Sequence, residues 1–128
     1  MRQNYRTREG NAARRQLEFA IVLDQVKRRK EAFIARLSSH IIQRGTCLCY
    51  EATKDHKGYA RLNFRHKGKH ISIAVQRVFM ILKLCKPIPL AHEAGHTEEC
   101  EHRTCVRHLQ LEHYADNAAT YHSHRRAA

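Results

Sequence analysis

The chain has no apolar run near the ~20 residues that a membrane-spanning helix requires, and its start carries no apolar core of the secretory kind. Internal repeats and low-complexity tracts are absent, which sets aside solenoids and disordered arrays. Acidic residues are scarce: 12 Asp+Glu stand against 24 Lys+Arg, for a net charge of +12. A balance this basic points to a polyanionic partner, and without a membrane signal nucleic acid is favoured over an anionic lipid surface. The cysteines number 5, an odd count that excludes a fully paired disulfide framework. Their grouping as Cys47/Cys49 and Cys100/Cys105 fits metal ligation in a reducing, intracellular compartment. At 128 residues the chain is read as a single domain, small enough to benefit from a metal staple.

Residues 1–10 read as a mobile basic arm, and residues 11–128 as one folded unit. The spacing of Phe19, Val22, Leu23, Val26, Phe33, Leu37 and Ile41 predicts a helical part over 12–43, ended by Gly45. The block Lys27-Arg28-Arg29-Lys30 is either a solvated face or a phosphate-tracking one. Alternation then predicts a small antiparallel basic sheet over 46–74. Within it, Ala60, Leu62 and Phe64 face one side and Tyr59, Arg61, Asn63 and Arg65 the other. Val75 to Leu84 reads as a short buried helix, stopped before Lys86-Pro87-Ile88-Pro89. Cys85, at the end of that apolar helix, is expected to be a buried core thiol.

The densest chemistry lies between His96 and Asn117. Cys100, Cys105 and His108 supply soft thiolates and an imidazole in a short polar loop, the donors of a tetrahedral zinc ion. Leu109 and Leu111 alternate as in a strand, and Tyr114 to Tyr121 reads as a helix with Asp116 and Asn117 at its entry.

This order of His96, metal knot, strand, helix and Asn117 resembles the HNH, or His-Me finger, endonucleases, in particular the small phage and intron homing enzymes. His96, His108-Leu109 and Asp116-Asn117 fall on that family's frame, while the two cysteines keep their spacing but sit two places late and the Asn-Pro pair is missing. Upstream, Cys47-Leu48-Cys49-Tyr50, Lys57-Gly58-Tyr59-Ala60-Arg61, Gln76-Arg77 and Pro87-Ile88-Pro89 follow the family's order. The resemblance covers residues 32–120. It implies an α+β fold with an N-terminal helix, a basic sheet, a short buried helix and a C-terminal zinc-stapled ββα-metal unit over 90–122. It also implies a phage-infected or bacterial cytoplasm.

By that resemblance His96 is the general base and Asn117 the ligand of a catalytic divalent ion, Mg2+ by expectation. His92, His102 and His113 are weaker candidates for the base. Cys47 matches the family's upstream cysteine and becomes the fourth ligand of a structural Zn2+ with Cys100, Cys105 and His108. Cys49 is its alternate, since positions 47 and 49 share a strand face. Arg61 or Arg77 would brace the scissile phosphate, and Arg61, Arg65, Lys67, Lys69 and Arg77 would contact double-stranded DNA. One active site cuts one strand, so a homodimer would suit a palindromic target. Three functions are carried forward: a metal-dependent DNA endonuclease, a non-catalytic zinc-stapled nucleic-acid-binding protein on the same scaffold, and an RNA-binding basic protein.

Overall fold

The computed structural model describes residues 8–52, 58–97, 102 and 104–113. The first element, α1 (Arg8–Ser38), bends where Arg29 leaves helical geometry, at φ −139° and ψ 39°. Before the bend Ile21 and Val22 are buried, and after it Phe33 and Leu37 are. Residues 27–32 between these anchors are exposed, so the basic block lies on a stretch with no core beneath it. The helix stops earlier than the sequence predicts. Residues 41–43, expected as its end, belong instead to a strand over 41–44. The hydrophobic spacing from Leu37 to Ile41 fits a helix. Gly45, however, takes φ +60°, which the first position of a two-residue hairpin loop demands. That turn folds β1 (Ile41–Arg44) back on β2 (Cys47–Tyr50), pairing Ile41 with Tyr50 and Arg44 with Cys47.

A second hairpin joins β3 (Arg61–His66) and β4 (Lys69–Ala74). Its loop residues Lys67 and Gly68 both have positive φ, +50° and +76°, the signature of a type I′ turn. Leu62, Phe64 and Ile73 are buried while Asn63 and Arg65 are exposed, the division that strict alternation predicts. Phe33 of α1 meets Phe64 edge-on at 6.2 Å, and Arg36 lies over the same ring. The first two hairpins are separate two-stranded ladders rather than the continuous sheet expected over 46–74.

The helix α2 (Val75–Leu84) follows β4 directly and occupies the expected residues, burying Val75, Val78, Met80 and Ile81. Cys85 closes it in the left-handed conformation, φ +57°, with its N–H donating to the Ile81 carbonyl. This cap turns the side chain outward. Cys85 is exposed rather than buried as expected, because the apolar stripe of α2 ends one residue earlier. Ile88 re-enters the core between the two prolines. The last hairpin pairs β5 (His92–His96) with β6 (Leu109–His113), from His92 opposite His113 to His96 opposite Leu109.

Side chains from α1, β2, β3, β4, α2, β5 and β6 form one apolar core. The described residues are therefore α+β, two helices with three small antiparallel ladders, and contain no helix long and apolar enough to cross a membrane. The helix expected over 114–121 lies outside the described residues.

Candidate metal centre and the histidine beside it

Three donors converge where β2 meets the connection between β5 and β6: Cys47, Cys105 and His108, with ligand atoms all within 4.8 Å of one another. The backbone brings them there. Tyr50 N–H donates to the Thr104 carbonyl at 2.9 Å and Val106 N–H to the Leu48 carbonyl at 2.7 Å, so residues 104–106 run antiparallel beside β2. Arg107 donates to the Thr46 carbonyl and locks the same edge. Cys47 and Cys105 thus approach diagonally from neighbouring segments, with Cys49 directly opposite Cys105, and His108 swings back after one tight turn.

The separations provide a fit test. His108 Nδ1 lies 3.5 Å from Cys47 Sγ and 3.6 Å from Cys105 Sγ. A tetrahedral zinc ion with ordinary Zn–S and Zn–N bonds has sulfur–nitrogen edges of about 3.6 Å. Both sulfur–nitrogen edges therefore match those of such a tetrahedron, and the two sulfurs lie within 4.8 Å of each other. Two thiolates and an imidazole are the soft and borderline donors zinc selects. Burial raises the pKa of the Cys105 thiol, but backbone N–H groups of His108 and Arg107 point at its sulfur and outweigh that effect, lowering it below the usual thiol range. The same N–H groups would stabilise a thiolate ligand at Cys105.

The sequence expectation for this centre was Cys47, Cys100, Cys105 and His108. The structure groups Cys47, Cys105 and His108; Cys100 lies outside the described residues. Cys49, the alternate, is fully buried beside Cys47 and Cys105 but is not in the group. Burial pushes its thiol upward, partly offset by a hydrogen bond with the Thr104 side chain.

His96 is the last residue of β5, buried at 7% exposure. Its Nε2 lies 2.9 Å from the Cys105 carbonyl oxygen. A carbonyl can only accept, so Nε2 carries a proton and the lone pair of the neutral ring is on Nδ1. The ring of Tyr59 lies parallel to it, 7° between planes and 6.3 Å between centroids. Thr97 N–H donates to the His108 carbonyl, closing the loop at its neck. The imidazole is thereby tied through one backbone carbonyl to the residue that offers the central thiolate. Of the weaker candidates, His92 turns its Nδ1 to the Leu90 carbonyl at 2.9 Å. The Cys105 N–H donates to the His102 backbone carbonyl. Asn117, expected to hold a catalytic ion, lies outside the described residues, as does Lys57 of the upstream motif.

The predicted phosphate-facing cations divide. Arg65, Lys67 and Lys69 are exposed along the β3–β4 hairpin and its tip. Arg61 spans the ladder to Ser72, with Nε donating to the hydroxyl at 2.7 Å and Nη2 to the carbonyl at 3.0 Å. Arg77 goes elsewhere. Only 5% exposed, it donates Nη2 to Glu18 at 2.5 Å and Nη1 to Glu93, which Arg15 also holds at 3.1 Å. Burial opposes its charge, but the two carboxylates outweigh that cost and raise its pKa further. To brace a phosphate, Arg77 would have to leave both partners.

Sequence reading missed this ion network and the Tyr59 stack. One signal was available: Glu18 stands three and four residues before the buried Ile21 and Val22, and Arg15 three before Glu18, so both charges lie on the buried face of α1. No protein-family model, curated protein or solved structure matches this chain.

Proposed function

We propose that the protein is a metal-dependent DNA endonuclease of the His-Me finger kind, in which His96 is the general base and the Cys47/Cys105/His108 group holds a structural zinc ion. One observation carries this reading: the imidazole at the end of β5 is anchored through Nε2 to the backbone of the thiol–imidazole knot. That anchor leaves Nδ1 with the proton-accepting lone pair, which a base for water requires near neutral pH. The antiparallel β5–β6 pair with the knot between its strands supports the same reading. A divalent ion on Asn117, with phosphate oxygens completing its shell, would supply charge stabilisation at the leaving oxygen. Arg65, Lys67 and Lys69 on the exposed hairpin face suit the sugar–phosphate backbone of double-stranded DNA. A reducing compartment follows from thiolate ligation.

A second reading has its own observation. His96 is nearly buried and stacked on Tyr59, as a purely structural histidine would be, which favours a zinc-stapled DNA-binding protein without chemistry. Supercoiled plasmid incubated with Mg2+ separates the two. Nicking or linearisation by the wild type that is lost in His96→Ala and Asn117→Ala, with DNA binding retained, is the expected result. Tight, salt-sensitive binding with no cleavage of plasmid or genomic DNA would establish the second reading. Tighter binding to structured RNA than to duplex DNA would contradict both.

A further inference from the structure

Cys49 is a third thiol in the knot that the metal-ligating group leaves out. It stands directly opposite Cys105 in the antiparallel pairing. The flanking bonds, Tyr50 N–H to Thr104 O and Val106 N–H to Leu48 O, bypass both cysteines, and the Cys105 N–H turns away to the His102 carbonyl. The pair therefore occupies a non-hydrogen-bonded position, where opposed Cα atoms approach to roughly 4.5 Å and side chains are closest. A disulfide spans Cα separations of about 4.4–6.8 Å, so this position is within its reach. Cys47 in the same register falls opposite Arg107 and diagonal to Cys105. Its sulfur lies within 4.8 Å of the Cys105 sulfur, so it is the competing partner, but across a diagonal whose Cα separation of roughly 7–8 Å is beyond the usual disulfide span. All four described cysteines are thiols in this structure.

We infer that Cys49 and Cys105 form a redox-modification site: a small peroxide oxidises the metal-free pair to a disulfide, withdrawing Cys105 from the metal-ligating group. In the first step the Cys105 thiolate attacks one peroxide oxygen, the O–O bond breaks, and a sulfenic acid forms with loss of hydroxide, which is protonated to water. In the second, the Cys49 sulfur attacks that sulfenic sulfur, the S–O bond breaks, and a second water leaves as the S–S bond closes. Two thiols are oxidised by two electrons and one hydrogen peroxide is reduced to two waters. Both sulfurs are fully buried, which restricts the oxidant to a molecule of that size. Bound zinc occupies the Cys105 lone pair and blocks the first step. The metal and the disulfide thus compete for one sulfur, and the competition rests on the metal reading above.

The test uses the full chain, zinc-loaded and chelator-stripped, treated with hydrogen peroxide, alkylated, digested and mapped by mass spectrometry, with zinc content measured in parallel. The expected result is a Cys49–Cys105 linked peptide in the stripped protein, its suppression by zinc, and loss of zinc uptake that a phosphine reductant restores. Cys49→Ala should take up zinc as the wild type does and lose the reversible inactivation of uptake. Linkage of Cys105 to Cys47, or Cys49 recovered as a thiol in all oxidised protein, overturns the inference. Linkage that proceeds equally with zinc bound overturns the competition. A chain that takes up no zinc in any form overturns the metal reading, while the linked peptide still decides the pairing.

Discussion

Two polar clusters tie the β5–β6 hairpin to the rest of the molecule, and they work on opposite principles. On one side Cys47, Cys105 and His108 gather soft donors from β2 and the hairpin connection. On the other, Arg77 of α2 joins Glu18 of α1 to Glu93 of β5, with Arg15 holding Glu93 from α1. The first could hold a metal ion, and on the proposed reading its stabilising energy would arrive with that ion. The second carries its own counter-charges, with Arg14 also on Glu18 at 3.3 Å, and most of its energetic significance is the cost of removing one member. On the proposed reading, the first cluster would make hairpin stability conditional on metal supply and on thiol redox state. The other needs no ion, and its two carboxylates raise the pKa of Arg77. His96 hangs from the conditional one, through the Cys105 carbonyl.

The largest expected effect breaks the metal side. Chelation, or Cys105→Ala, should remove on the order of 10 kcal/mol of metal-linked folding free energy, seen as a collapse of the zinc-dependent melting transition. Survival of the full transition in metal-free protein would reduce the two clusters to equals. Next, Arg77→Ala should cost about 3–5 kcal/mol by removing the buried partner that Glu18 and Glu93 share, leaving Glu18 to the half-exposed Arg14. Urea unfolding at saturating zinc measures that cost, and a loss below 1 kcal/mol would mean that water relieves the network. The conditional side also predicts pH behaviour: zinc uptake should weaken as pH falls, because the cysteine ligands must lose their protons, whereas the Arg77 contribution should persist. Smaller still, Lys67→Ala or Lys69→Ala should lower the salt-dependence slope of DNA binding by about 0.9 each, without altering zinc content. The smallest is Lys67→Gly. Lys67 sits at φ +50°, and relieving that conformation should gain about 1–2 kcal/mol, offsetting part of any loss from the missing cation in a melting experiment.

The two clusters also differ in how far they could be read from sequence. Soft ligands declare themselves by residue type, so Cys47, Cys105 and His108 were legible before any fold was known. The ion network has no such vocabulary: Arg15, Glu18, Arg77 and Glu93 are common residues, 59 positions apart between Glu18 and Arg77, and only the helical phase of Glu18 hinted at burial. Regular elements followed the same division. The alternation in 61–66 and the apolar stripe of 75–84 carried enough residues for period to decide. At 41–44 four residues could continue a helix or begin a strand, and a positive φ at Gly45 decided it from outside the segment. Cys85 was misjudged by one residue, the margin at which a helix cap reverses a side chain's exposure.

The central claim is that a thiol–imidazole zinc knot holds the hairpin bearing His96. Zinc K-edge X-ray absorption on the purified full chain tests it most directly. One zinc per chain, with a first shell of sulfurs near 2.3 Å and an imidazole nitrogen near 2.0–2.1 Å, is the predicted result, and Cys47→Ala should remove one sulfur from that shell. A shell of oxygen and nitrogen alone, or no stoichiometric zinc, would contradict it.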